Sequence, residues 1–186
     1  MKRYLLIIAV VVLITGCLPW ARTGGLHVAP AQGISVDLPD GWMRLNTDDY
    51  LLVTRDGVLL EYIMVERIHV EDELTHTKKK FRTGMLSQEQ AGVITDNISS
   101  NQDVMNFKVI SNKPAKIAGH KGFKVVFTYR DTNKLKYKSI YYGFMEGELF
   151  YGVRYDAPLR HYYKKHLKTF AKVLGSLKLV KNQPSS

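Results

Sequence analysis

The sequence has a single cysteine, Cys17, in 186 residues. One thiol cannot form an intramolecular disulfide, and it cannot supply the set of thiolates that a structural zinc site needs. Packing alone must therefore stabilise the chain, even in an oxidising compartment. With 45% hydrophobic and 11% aromatic residues, the composition is that of a folded domain rather than a disordered chain.

Acidic residues are also scarce. The chain has 17 Asp and Glu against 27 Lys and Arg, which gives a net charge of +10. This balance favours an anionic partner, such as lipid headgroups, an envelope polymer or an acidic protein surface, although many exported domains are basic without a specific ligand. Nucleic acid would match the charge, but no nucleic-acid-binding motif is present. We therefore expect no nucleic-acid partner.

The motifs of common enzymes are absent as well. The sequence has neither a Gly-x-Ser-x-Gly nucleophile elbow nor a glycine-rich phosphate-binding pattern. His69 and His76, with the acids at 71–73 between them, are the best candidates for Zn²⁺ or Mn²⁺ ligands. Acids beside a strand end more commonly form a solvated loop, however. The sequence therefore predicts no catalytic residue, no metal and no cofactor.

The first 17 residues have the layout of a bacterial export signal. Lys2 and Arg3 precede an apolar run over 5–14, and small residues then lead to Cys17. The apolar run is about half of the ~20 residues that a membrane-spanning helix needs. A transmembrane anchor is therefore disfavoured, and a plain secretory peptide would not need the cysteine.

The segment Ile14-Thr15-Gly16-Cys17 resembles the lipobox of bacterial lipoproteins. The resemblance implies a diacylglyceryl group on the Cys17 sulfur and cleavage after Gly16, so that the cysteine becomes the mature amino terminus. Each buried CH₂ contributes about 0.8 kcal/mol, so two or three acyl chains bind a membrane far more firmly than one. Leu18 after the cysteine indicates the periplasmic face of the outer membrane, if the bacterium has one.

The rest of the chain divides into three parts. Residues 17–32 are rich in Pro, Gly and small side chains and are predicted to be a flexible tether that follows the signal peptide at 1–16. Residues 33–180 are predicted to be one globular domain, and 181–186 a tail.

Hydrophobic periodicity predicts an α+β fold, in which an antiparallel meander sheet has helices packed on it. A helix is predicted over 77–98, and another begins at Pro158 and carries an apolar stripe from Tyr163 to Leu177. The predicted strands alternate apolar and polar residues and are separated by turn residues; they span 33–38, 50–54, 58–68, 107–110, 115–118, 123–130, 135–145 and 148–155.

This order of elements resembles the PsbP-like superfamily, which includes a photosystem accessory protein, a small Ran-binding protein and many bacterial lipoproteins. The resemblance rests on the strand and turn Gly33-Ile-Ser-Val-Asp-Leu-Pro-Asp-Gly-Trp42, and on the meander from Gly119 to Tyr155 that leads into a terminal helix ending near Leu174-Gly-Ser-Leu177. It implies an α/β/α sandwich that mainly docks onto other proteins, and it brings no catalytic motif.

Two functional hypotheses follow. The first is a membrane-anchored, non-catalytic accessory module of the bacterial cell envelope that binds a protein or an anionic polymer. Tyr and Arg are enriched at interfaces, and a basic surface favours an anionic partner. The predicted contact residues are Lys164, Lys165, Lys168, Tyr142 and Tyr151. Tyrosines in strands more commonly pack within the sheet, and this is the alternative role for Tyr142 and Tyr151. The second hypothesis is an envelope hydrolase or metal-dependent enzyme with a site that the sequence does not reveal.

Replacing Cys17 by serine tests the anchor. The Cys17→Ser precursor should stay uncleaved by lipoprotein signal peptidase and should incorporate no fatty-acid probe, because the acylated sulfur is gone. Metabolic labelling of cells that express either form measures this, and equal labelling of the two proteins would contradict the assignment.

Overall fold

The computed structural model describes residues 19–180. Cys17, the predicted signal peptide and the predicted tail at 181–186 lie outside the described residues. Within 19–180, no helix is both long and apolar enough to cross a membrane.

Eleven strands and two α-helices make up the described chain. In chain order they are β1 (Trp20–Arg22), β2 (Gly25–Ala29), β3 (Ile34–Leu38), β4 (Met43–Leu45), β5 (Tyr50–Thr54), β6 (Tyr62–His69), α1 (Ser87–Ser99), β7 (Met105–Ile117), β8 (His120–Arg130), β9 (Lys136–Glu146), β10 (Leu149–Pro158), α2 (Leu167–Ser176) and β11 (Lys178–Leu179).

Eight strands form one antiparallel sheet in the order β1-β4-β5-β6-β10-β9-β8-β7. The half from β7 to β10 is a meander, because each strand pairs with the next one along the chain. A smaller antiparallel sheet has the order β11-β3-β2. Antiparallel neighbours need only short connections, and the meander here is joined by tight turns, as the sequence predicts.

Other elements pack on both faces of the large sheet. On one face, Phe170 and Val173 of α2 and Val36 of β3 pack against Val153 and Tyr155 of β10. On the other face, Ala91 and Ile94 of α1 pack with the loop residue Phe81 against aromatic residues of β8–β10. The fold is therefore α+β with three layers, as predicted.

The amino-terminal part of the domain differs from the predicted tether. Trp20–Arg22 pairs with β4, and Gly25–Ala29 pairs with β3. The Thr23 amide also donates to the Trp42 carbonyl at 2.8 Å. Small residues bury little apolar surface, but their backbones extend the edges of both sheets. Residues 20–29, predicted to be part of the tether, therefore belong to the folded domain.

Both predicted helices begin too early. Pro158 does not open α2, because β10 stays paired with β9 through Pro158 and the Leu159 amide donates to the Lys136 carbonyl at 2.8 Å. His161 then has a φ of 66°, which a right-handed helix cannot accommodate. The helix predicted from residue 77 begins only at Ser87, because Gly84 has a φ of 80° and breaks the chain direction.

Two strand predictions also change. The two strands predicted at 107–110 and 115–118 are parts of the single strand β7, which contains Pro114. A proline is tolerated there because β7 lies at the edge of the sheet and its outer side needs no N–H donor. The strand predicted to start at 58 starts at Tyr62, because residues 57–60 form a turn closed by the Leu60 amide and the Gly57 carbonyl at 2.8 Å.

The packing of α2 gives a stability prediction. Phe170 is 3% exposed and its ring stacks on Tyr155 at a centroid distance of 5.3 Å, whereas Lys168 is exposed. Phe170→Ala should lower the free energy of unfolding by about 3–5 kcal/mol, through lost burial and a cavity. Lys168→Ala should change it by less than about 0.5 kcal/mol. Urea unfolding of both variants measures the difference; equal losses would mean that α2 presents another face to the sheet.

Candidate functional site

Helix α2 and the small sheet share one face of the large sheet. They do not fill the space over β7–β9. Between α2 and β7–β9 the uncovered part of the sheet forms a groove of about 670 Å³. Its lining residues come from β7 and the following turn, from β8, β9 and the approach to α2, and from α2 itself: Lys116, Ile117, Ala118, Gly119, Lys124, Ile140, Tyr142, Tyr163, Leu167, Phe170, Ala171, Leu174 and Gly175.

The floor of the groove is apolar and aromatic. Tyr142 and Lys124 are directly opposite each other on β9 and β8, so both side chains project from the same face. The Tyr142 ring packs against Phe170, with centroids 6.1 Å apart. Lys124 Nζ lies 5.3 Å from the centre of the Tyr142 ring, a cation–π contact. The groove therefore presents an aromatic ring with an ammonium group beside it.

The charged residues that line the groove are all lysines. Lys116 and Lys124 line it, and in the part of the chain that the structure describes no Asp or Glu does so. Lys138 Nζ lies 4.8 Å from the ring centre of Tyr163, another lining residue. Lys168 is exposed and lies three positions before Ala171 on α2, so the two residues are neighbours on the helix surface. An anion at this face would meet several ammonium groups and no carboxylate of the lining.

The predicted contact residues are only partly brought together. Tyr142 lines the groove and Lys168 lies at its edge, and Lys164 is exposed in the segment before α2. Lys165 forms an ion pair with Asp56. Tyr151 is only 5% exposed and its ring stacks on another aromatic ring of the core, so the structure removes it from any contact surface.

Sequence reasoning missed Lys116 and Lys124. On β8, Lys124 alternates with the apolar residues Phe123 and Val125, which marks it as the solvent side of a half-buried strand. The strand register is what places Lys124 against Tyr142. A cross-strand pair of this kind depends on long-range pairing, which the local pattern does not encode.

A second cavity of about 330 Å³ lies on the opposite face of the sheet, against α1. Glu66, Tyr141 and Arg154 line it from the sheet, and Tyr141 donates a hydrogen bond to Glu66 Oε1 at 2.6 Å. Other lining residues carry both signs of charge, namely Asp49, Arg67, Asp72, Glu73 and His76. This mixture gives the cavity no clear preference for an anion or a cation.

One charged residue of this cavity, Arg154, belongs to a buried structural network. Its guanidinium pairs with Asp156, whose side chain is fully buried. Asp156 also accepts hydrogen bonds from Tyr129 and Ser139 at 2.8 Å each and from Tyr62 at 3.0 Å. Burial raises the pKa of the Tyr62 and Tyr129 hydroxyls, so both remain donors. A carboxylate with four donors is satisfied, and the network fixes β6, β8, β9 and β10 to one another.

The predicted metal candidates do not form a site. His69 Nδ1 accepts a hydrogen bond from the Glu71 amide at 3.2 Å, and His69 Nε2 lies 3.6 Å from Glu148. His76 is exposed at the edge of the second cavity. Among residues 19–180, the ligand atoms of this acidic segment do not converge on a common point. Residues 71–73 instead lie in a solvent-exposed loop.

Glu66 gives a pH-dependent prediction. Burial raises its pKa, against the hydrogen bond from Tyr141 and the charge of Arg154. The folded state therefore holds this proton more tightly than the unfolded state, so the contribution of Glu66 to stability is full below about pH 4.3 and falls as pH rises through the folded pKa. Glu66→Gln should gain stability relative to the wild type between pH 4 and pH 8. Urea unfolding across that range measures this, and parallel stability curves would contradict it.

The comparisons with known proteins concern the fold. No family model and no curated protein matches the chain. Among solved structures, cyanobacterial PsbP (CyanoP) from Synechocystis sp. PCC 6803 is 11% identical, with 89% of this chain and 95% of that chain covered and a TM-score of 0.56. The Saccharomyces cerevisiae Ran-binding protein Mog1p is 8% identical over 86% and 97%, with a TM-score of 0.51.

A Bacteroides thetaiotaomicron protein is also similar, with 13% identity and a TM-score of 0.53. The match covers 86% of this chain but only 49% of that protein, so this chain spans about half of its length. At such identities the likeness shows the fold alone. The predicted resemblance is confirmed at that level: residues 19–180 have the PsbP-like fold.

Proposed function

We propose that this protein is a lipid-anchored, non-catalytic accessory protein of the bacterial envelope, and that its groove beside α2 binds an acidic segment of a partner protein. The observation that carries the proposal is the groove itself, which combines an apolar, aromatic floor with lysines and has no acid among its described lining residues. Concave apolar surfaces with a few convergent polar groups are typical of binding sites.

The chemistry of the groove selects the class of partner. The lysines favour an anion, and the net charge, +10 for the whole chain and +8 once cleavage removes Lys2 and Arg3, would attract one over a longer distance. The floor of Ile140, Tyr142 and Leu167 favours apolar side chains as well. A peptide segment with acidic and apolar residues offers both, whereas a polyanionic polymer offers only charge. Mog1p, which shares the fold, is named as a Ran-binding protein, so protein binding is compatible with this architecture.

The anchor would hold the domain close to the bilayer. The first strand begins at Trp20, three residues after Cys17. A chain gains at most about 3.6 Å per residue, so the start of β1 would lie within about 11 Å of the Cα atom of the lipidated cysteine. This is shorter than the predicted tether of a dozen residues allows. Confinement of this kind raises the local concentration of the groove for a partner in the same envelope layer.

Site-specific photo-crosslinking tests the proposal. Gly175 lines the groove, and a Cβ built at Gly175 meets no atom within 4 Å, so a side chain that carries benzophenone can leave the backbone there without a clash at Cβ. In intact cells this position should form an adduct with a discrete protein. Lys124→Glu should abolish most of the adduct, because it places a carboxylate in the groove. Gel mobility and mass spectrometry of the adduct provide the readout.

Two matched controls make the test specific. Gly92 of α1 lies on the opposite side of the sheet and also has open space at its Cβ, so a benzophenone there should not form the same adduct. Arg82→Glu makes the same change of charge at an exposed loop position beside α1 and should leave the Gly175 adduct intact. An adduct with glycan instead of protein would show a polymer partner. Equal adducts from Gly175 and Gly92 would show that the groove is not the contact.

A further inference from the structure

Three potential metal ligands meet where the β5–β6 connection approaches the start of α2. His166 is the residue immediately before α2, and Asp56 and Glu61 lie in residues 55–61 between the two strands. His166 Nε2 is 3.6 Å from Asp56 Oδ2 and 3.8 Å from Glu61 Oε2. The three ligand atoms all lie within 4.8 Å of one another. The residues come from chain segments about a hundred positions apart, so only the fold unites them.

Glu61 is held in a fixed orientation. Its side chain is fully buried, and its Oε1 accepts hydrogen bonds from the Arg55 amide at 2.6 Å, the Asp56 amide at 2.9 Å and the Thr54 hydroxyl at 3.0 Å. These bonds fix the turn and direct the second oxygen, Oε2, towards His166. One carboxylate oxygen therefore has a structural role, and the other is available.

Two atoms of this cluster lack a hydrogen bond. Within residues 19–180, Glu61 Oε2 and His166 Nε2 are both buried and neither has a hydrogen-bond partner. A buried polar atom without a partner is costly, and such atoms are uncommon in folded proteins. Here an oxygen and a nitrogen without hydrogen-bond partners face each other, with the Asp56 carboxylate beside them. A cation between them would satisfy all three groups.

We propose that Asp56, Glu61 and His166 bind a divalent transition metal of the Zn²⁺ class. Carboxylate oxygens and an imidazole nitrogen are ordinary Zn²⁺ ligands, and bonds of about 2.0–2.1 Å place tetrahedral ligand atoms about 3.3–3.5 Å apart. The observed separations exceed this by a few tenths of an ångström at the two His166 contacts. Three protein ligands leave one position for water.

Lys165 would compete with the metal. Its ammonium group forms an ion pair with Asp56 Oδ2, the oxygen that also faces His166. Lys165 is exposed, so its side chain can move into solvent when a metal neutralises Asp56. The metal would then link the β5–β6 connection to the start of α2, the helix that forms one wall of the groove. The site does not depend on the proposed function of that groove.

The rival explanation is a protonated His166 that forms ion pairs with the two carboxylates and needs no metal. Zn²⁺ titration of the full-length, chelator-treated protein in detergent, followed by calorimetry at pH 7.5, separates the two. We expect one Zn²⁺ per chain. Trp42 lies edge-on to the His166 ring at 5.1 Å, so Co²⁺ bound at the same site should also quench its fluorescence.

Variants assign the ligands. His166→Ala and Asp56→Asn should each weaken Zn²⁺ binding by more than the about 10- to 100-fold that loss of an outer-shell partner costs. Glu61→Gln keeps one side-chain oxygen to accept the hydrogen bonds of the turn, and it should weaken Zn²⁺ binding by a similar factor. Lys165→Met should strengthen binding, because the competing ammonium is gone. His69→Ala is the control, since that histidine is half-exposed and belongs to another segment.

The titrations can either support or overturn the proposed metal site. Stoichiometric binding that is lost in His166→Ala and kept in His69→Ala supports the site. Absence of Zn²⁺ binding in the wild type, or binding that survives His166→Ala, would overturn it in favour of the protonated ion pair or of a different site. An affinity that is unchanged in Lys165→Met would overturn the assignment of Asp56 as a ligand.

Discussion

The structure depends on the need to cover two apolar faces of one large antiparallel sheet. The β7–β10 meander places aromatic side chains on both faces, so neither can be left to solvent. The loop around Phe81 and helix α1 cover one face, and α2 with the small sheet covers the other. Together, α2 and the small sheet leave part of that face open over β7–β9, and this open part is the groove.

The buried polar network anchors the end of β10, the strand that precedes α2. Asp156 accepts hydrogen bonds from β6, β8 and β9 and forms an ion pair with Arg154. This holds the end of β10 in the sheet as far as Pro158. The chain then needs a loop before it can return across the face as a helix. His166 ends that loop and therefore reaches the β5–β6 connection.

The local sequence pattern predicts much of the fold, but it predicts few of the residues that meet at the candidate site. The alternation in Ile34, Val36 and Leu38 is local, and that strand was predicted within a residue. The start of α2 was predicted too early. Pro158 is compatible with both a helix start and a strand end, and only the pairing of β10 with β9 decides between them. Tyr142 was predicted as a contact, but its partner Lys124 lies on another strand, and their meeting depends on register. The same holds for His166 and Glu61.

The central claim is that the open part of the sheet face beside α2 receives the partner. Ala171 is exposed and lines the groove one turn before Gly175, so Ala171→Trp should fill the groove without changing any charge. The most direct measurement is the yield of the protein adduct from benzophenone at Gly175 in cells, with circular dichroism and thermal unfolding to confirm that the variant is folded. We expect the folded variant to lose the adduct. An undiminished adduct to the same protein in a folded Ala171→Trp variant would contradict it.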